Sequence, residues 1–350
     1  MCEFQLINSM KEFNSIKVEW DELVEEHPRP QIFLTHDWIR CWLEVFAKKG
    51  TLLIYVYRVD SKIKFIAPLM HSRRKYLQKI SRKSIHFLGV DRSDSHDFIY
   101  ASSYESLIPK LIDKLILQYP KDILSFDSII EDSPTLTVLN DYTPPKGIIS
   151  KVQNLSTPYI LLNEMTAKSI NKKNILRCKK HMQQSGEIEI KQVKENSDIE
   201  KFLPTLFEQH KQKWENSQYN QYNNREFYRK IAYMLKDLGR LEFTVFLFNQ
   251  HPIAMHFGFS FNDRYYYFKP TFDFEFAHHS PGNVLLIDLI KQAKQRDFTW
   301  FDFGKGEESY KFRYTKNTNT LHNFLFCHRT LSNYSLFALL TLVRKMREKQ

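Results

Sequence analysis

Glycine is scarce in this chain of 350 residues, which holds nine glycines against 28 phenylalanines and 18 tyrosines. So little glycine beside so many aromatics excludes a low-complexity or disordered chain and implies a substantial core. Cysteine is scarce too. Cys2, Cys41, Cys178 and Cys327 are scattered without a zinc-ligand spacing or a disulfide framework, which fits a reducing cytoplasm. The signatures of P-loop nucleotidases, serine hydrolases and zinc proteases are missing, so those chemistries lose their usual support. Long apolar runs are missing as well. The longest near the C-terminus, "YSLFALLTLV", is about half of a membrane span. The N-terminal "MCEFQLINSMKEFNSIKVEW" has no signal-peptide apolar run. The expectation is a soluble cytoplasmic protein, peripheral at most to the inner face of a membrane. A formal net charge of +11 suits anionic partners, but alone it speaks to solubility and non-specific binding.

What is present alternates between helix and strand patterns. "FLTHDWIRCWLEVFAKKG" sets Thr35 as a cap before Trp38, Ile39, Trp42, Leu43 and Phe46 at helical spacing. Strand-like "TLLIYVYRVD" and "KIKFIAPLM" follow, then a basic segment "HSRRKYLQKISRKS", a strand "IHFLGV", an amphipathic helix "YESLIPKLIDKLILQYP" and the run "ILSFDSII". Three prolines and lost periodicity in "LNDYTPPKGIISKVQNLSTPY" put a domain boundary near 145–158. The second half repeats the plan. A basic helix ending at Gly186 leads to a strand, and the helix "SDIEKFLPTLFEQHKQKW" carries an apolar face through Phe202, Leu206, Phe207, His210 and Trp214. The strands "LEFTVFLF", "PIAMHFGFSF" and "RYYYFKP" come next, with turns at Asn249–His251 and Asn262–Asp263. Then "SPGNVLLIDLIKQAKQRD" opens a helix with Ser280 as N-cap, Pro281 at the first helical position and Gly282 allowing close approach to the backbone. Such helix starts suit anions.

The segments "ILRCKKHMQQSGEIEI", "HPIAMHFGFSFNDRYYYFKPTFD", "SPGNVLLIDLIKQAKQRDFTWFDFGKGEESYKFRYT" and "FLTHDWIRCWLEVF" carry a resemblance. In that order they resemble the GNAT acyltransferases, specifically the CelD/BcsL-like branch linked to cellulose and exopolysaccharide biosynthesis, with Fem-type aminoacyltransferases as relatives. The resemblance implies an α/β (α+β) fold of tandem GNAT-like domains, with mixed, largely antiparallel sheets flanked by helices. The domains expected are 1–155, a catalytic 156–330 and an amphipathic C-terminal helix at 331–350. It also implies an acyl-CoA co-substrate, acetyl-CoA first among them, and no metal.

By the same resemblance, Ser280, Gly282, Asn283 and Val284 hold the coenzyme pyrophosphate, although the family's second loop glycine is absent. Tyr310 falls where many relatives place a tyrosine near the thiol sulfur and is the first choice for the acid. Asp302, mid-strand between Phe301 and Phe303, and His256, between Met255 and Phe257, are candidate catalytic groups. Each has a plainer reading: a carboxylate satisfied by a turn amide or by Arg313, and a core histidine. Lys269, Lys311 and Arg313 are candidates for substrate or phosphate charge. The expected partner is a small-molecule or glycan acceptor, with association to membrane-bound polysaccharide-synthesis machinery. Nucleic acid is not expected as a ligand. The basic run Lys168, Lys172, Lys173, Arg177, Lys179 and Lys180 keeps tRNA as the alternative that Fem-type relatives imply, against a solvated helix face.

Overall fold

A computed structural model of the chain describes residues 3–47, 50–77, 80–166, 172–213 and 217–347; Cys2, Lys168 and Trp214 lie outside them. The chain divides into two compact units, Met1–Leu155 with Asn319–Gln350 and Ser156–Thr318. Both are mixed α/β.

The first unit begins with β1 (Gln5–Ile7), α1 (Met10–Ser15), α2 (Lys17–Glu26) and α3 (His36–Phe46). It continues through β2 (Gly50–Val59), β3 (Lys62–Leu77), β4 (Ile80–Phe87) and β5 (Ile99–Tyr100). Next are α4 (Leu107–Gln118), β6 (Ile123–Ile130), α5 (Pro134–Asp141) and β7 (Ile148–Leu161), of which the part from Ser156 on belongs to the second unit. β4 and β6 pair in parallel across the α4 crossover. Leu107, Ile108, Leu111, Ile112, Leu115 and Ile116 recur at helical spacing and are all buried, with Phe87, Phe98 and Phe126 in the same core. The described residues of the basic segment expected between strands prove to be strand themselves, the outer part of the antiparallel β3–β4 pair.

The second unit holds α6 (Lys173–Ser185), β8 (Ile188–Gln192), α7 (Asn196–Lys213) and α8 (Tyr222–Asp237). β9 (Leu241–Phe248), β10 (His251–Phe261), β11 (Arg264–Phe272), α9 (Pro281–Gln295) and β12 (Trp300–Asp302) follow. Asn249 and Gln250 both have positive φ, the geometry of a type I′ turn that matches strand twist, and they join β9 to β10 as a tight hairpin. β10 pairs antiparallel with β11, and β11 pairs in parallel with β12 across α9. α9 is apolar because it covers the sheet: Val284, Leu285, Ile287 and Ala293 are buried with Tyr265, Tyr267 and Phe301.

The last strand, β13 (Thr318–His328), pairs antiparallel with β6, and Phe324 and Phe326 join the first unit's core. The sequence expectation ran the second domain to residue 330; this pairing places 319–330 in the first unit instead. The closing helix α10 (Leu331–Arg347) packs Leu336, Phe337 and Leu340 beside Leu325 and Cys327. No helix among the described residues is long and apolar enough to cross a membrane.

Candidate active site

β11 and β12 separate soon after they meet. Their parallel register runs only from Arg264↔Trp300 to Tyr266↔Asp302, and Tyr267–Phe272 continue with no strand partner on that side among the described residues. Strands that diverge this way leave backbone groups and side chains open to an extended ligand. Lys269 lies on the diverging stretch, half-buried, with its ammonium 4.2 Å from the Phe268 ring centroid.

β11 leads through a 3-10 turn, Phe274–His279, to the start of α9. Ser280 is the N-cap residue by position, but it is left-handed, at φ 51°, and its side chain makes no capping hydrogen bond. The cap expected from sequence therefore does not form. Its carbonyl instead accepts from Asn283 N–H and Val284 N–H, at 3.0 and 3.1 Å. Pro281 has no N–H, so Gly282 keeps the one amide of positions 281–284 with no partner among the described residues. The Val284 side chain is buried in the core. A Cβ on Gly282 would meet Phe272 Cδ1 at 3.5 Å, an ordinary contact, so its surroundings leave room for a side chain.

A cleft of about 260 Å³ opens at this point, lined by Lys172, Lys173, Asn174, Ile175, Asn283, Arg313 and Tyr314. Two helices begin there, α6 and α9, so two sets of N-terminal partial positive charge reach the same space. Three cationic side chains line it and no carboxylate does. Tyr314 Oη donates to Asn283 Oδ1 at 2.9 Å, and Lys172 Nζ sits 4.7 Å from the Tyr314 ring centroid while donating to Arg313 O. Sequence reading treats Lys172 only as part of a basic helix and misses Tyr314, although Tyr314 stands in a segment that carries the resemblance.

Tyr267, Tyr310 and Tyr314 ring Phe303, at centroid distances of 5.8, 6.5 and 6.3 Å. Burial pushes the Tyr310 phenol well above its ordinary value, and Glu308 adds to the effect. Burial also pushes Tyr314 up to about 12. These phenols stay protonated at neutral pH. A phenol in this state can donate a hydrogen bond, but full transfer of its proton to a thiolate would run uphill against a thiol's ordinary range.

Three other candidates are occupied by the fold. Asp302 Oδ2 accepts from Arg264 Nη1 at 2.9 Å and Oδ1 from Gly304 N–H at 2.8 Å; the turn amide was expected, but the cation is Arg264 rather than Arg313. Lys311 is buried, and its ammonium donates to the carbonyls of Gly304, Lys305 and Gly306 at 3.2–3.3 Å beside Glu308 at 2.8 Å. It fastens the loop after β12 and has no charge to offer a substrate. His256 is wholly buried between the rings of Tyr265 and Tyr267, and burial lowers its pKa to about 3. An imidazole so placed reaches no reacting atom, so it is a core residue and not a base.

Residues 170–312 match the family model of the acetyltransferase (GNAT) domain. That segment of GNAT character takes in α6, the β9–β12 sheet, α9 and Tyr310, and ends one residue before Arg313. No curated protein matches the chain by sequence. Among solved structures, FemX is similar over 95% of this chain and 99% of its own, at 12% identity and a TM-score of 0.60. The structure of L-PGS from Bacillus licheniformis is similar over 95% and 96%, at 10% identity and 0.54. A tandem GNAT protein from the clavulanic acid biosynthesis pathway is similar over 93% and 98%, at 9% identity and 0.51. At such identities the likeness concerns fold, and the fold extends over both units.

Proposed function

We propose that the second unit is an acyl-CoA-dependent acyltransferase, acetyl-CoA being the first choice of donor. Its acceptor is a sugar amine or hydroxyl in polysaccharide or glycoconjugate synthesis, the setting of the CelD/BcsL-like branch. The observation that carries the reading is the cationic, acid-free cleft at two helix starts beside diverging strands. The coenzyme brings phosphates, which suit Lys172, Lys173, Arg313 and the Gly282 amide, and when bound it supplies the acyl group as an activated thioester. The rest of the coenzyme runs along the diverging edge of β11 toward Tyr310, which hydrogen-bonds the leaving sulfur. Asn283 is held by Tyr314 and so couples the phosphate end to the loop that carries Tyr310. No side chain is assigned as base.

The test is a thermal-shift comparison of acetyl-CoA with aminoacylated tRNA, since a ligand of the folded state raises its melting temperature. Acetyl-CoA is expected to raise it. A shift only with tRNA, persisting at physiological salt, would move the reading to a Fem-like aminoacyl-tRNA-dependent transferase. No shift with either would leave a non-catalytic scaffold of a synthase complex.

Two substitutions sharpen the assignment. Gly282→Val is expected to weaken acetyl-CoA at least tenfold by titration calorimetry, because a branched side chain would cover the one open amide. Its folding cost is expected to be small, since Phe272 leaves room and valine has a higher helix propensity than glycine. Undiminished affinity would reduce the helix start to architecture. Tyr310→Phe is expected to lower turnover about 10²-fold with coenzyme affinity nearly intact, as for loss of a donor to developing charge. A variant as fast as the parent would remove Tyr310 from the reaction.

A further inference from the structure

The outer half of the β3–β4 hairpin sets cations against each other. Arg73 stands opposite Lys83 and Arg74 opposite Arg82 in the antiparallel register. Side chains alternate faces along a strand, so these two pairs lie on opposite faces. Like charges directly opposite are destabilising unless something answers the charge. On one face something does. Arg74 Nη1 donates to the Asp127 carboxylate and, at 2.9 Å, to Ser125 Oγ. On the other face the side chains of Arg73 and Lys83 are exposed and make no hydrogen bond or ion pair among the described residues.

That face borders a cleft of about 530 Å³, to which Lys121 also contributes. One carboxylate stands on its wall, Asp122, with Oδ2 2.9 Å from His71 Nε2. A plainer cause covers part of this. Lys121 follows the end of α4 at Gln118, where a cation complements the last carbonyls of a helix. It does not cover the Arg73–Lys83 pair, which is a ladder position unconnected with a helix end.

We propose that this cleft binds a multiply charged phosphate group, a diphosphate or phosphomonoester borne by a soluble metabolite or by a lipid headgroup. Guanidinium forks match phosphate oxygens, and the volume falls in the range of small-ligand sites. The bound anion neutralises the repulsive pair. The site belongs to the first unit and does not depend on the acyltransferase reading of the second.

The full chain is titrated calorimetrically with inorganic pyrophosphate at low and physiological salt. It is also sedimented with phosphatidylcholine vesicles, with and without phosphatidic acid. Lys83→Glu, which turns the opposed pair into an attractive one, is expected to raise the melting temperature and yet weaken pyrophosphate at least tenfold. Lys121→Gln, away from the ladder, is expected to weaken binding a few-fold at an unchanged melting temperature. Lys83 and Lys121 do not line the cleft of the second unit, so the difference between parent and these variants reads the first-unit cleft alone. Vesicle binding that needs phosphatidic acid and fails in both variants, with no pyrophosphate binding, assigns the phosphate to a headgroup. The proposal is overturned if neither probe binds, or if parent and both variants bind equally.

Discussion

Replacing Arg264 by leucine is expected to destabilise the second unit by about 3–5 kcal/mol, read as a fall in the urea midpoint, because it leaves a buried carboxylate without its cation. Arg264 and Asp302 are 4% and 9% exposed, and the guanidinium also lies 4.4 Å from the Trp300 ring centroid. The pair stands where β11 and β12 are in register, so it fixes the point from which the two strands diverge. Removing both charges with Arg264→Leu and Asp302→Leu together is expected to cost less than the single change, since neither partner is then stranded. The pair of measurements also separates structure from catalysis. A catalytic Asp302 would lose turnover on substitution with the midpoint unmoved; an Asp302 that anchors the strands loses the midpoint first.

Acid is expected to weaken the same unit through His256. Its folded pKa, about 3, lies below the ordinary 6.5, so the folded chain excludes a proton that the unfolded chain accepts. Nothing is lost above about pH 6.5. From there down to about pH 3 stability falls steadily, by about 2 kcal/mol at pH 5 from this group alone. His256→Leu is expected to flatten the decline between pH 7.5 and 5 by that amount relative to the parent. In the first unit Asp97 acts in the opposite sense, since burial pushes its carboxyl up to about 7 and stability is lost as pH rises toward that value. Comparing parent and variant cancels that contribution. Identical pH profiles would mean that the imidazole titrates in the open, and would restore it as a candidate base. The site for the ring is made by Gly258, where a Cβ would come within 2.4 Å of the imidazole and 2.3 Å of Tyr266 O.

Much of the architecture was legible because it is written locally. The runs from Leu241 to Phe272 alternate as strands, and Asn249 and Asn262 tolerate the left-handed turns between them. α9 announced itself through Pro281 and a dense apolar stripe. What was not legible depends on partners distant in sequence. Nothing around Asp302 names Arg264, 38 positions away, as its cation. Lys311 looks like a free charge in "YKFRY", and only the folded loop shows three carbonyls closing over it. Ser280 reads as a cap because serine usually is one; a left-handed backbone turns its carbonyl, not its hydroxyl, toward the helix amides. The basic hairpin defeated pattern reading for the converse reason, since opposed cations argue against a strand pairing that forms all the same.

The late arrival of β13 has a consequence for synthesis on the ribosome. Ser128 N–H donates to Asn323 Oδ1 across 195 positions of sequence, and Phe324 comes into register with Phe126. At ordinary elongation rates of about 5–20 residues per second, β6 waits roughly 10–40 s for its neighbour. Through that interval an apolar edge lies open to any other nascent strand. The second unit is continuous and is translated in full before the first can close. A premature stop just after codon 318 would therefore spare the unit made later and leave the unit made earlier unfinished.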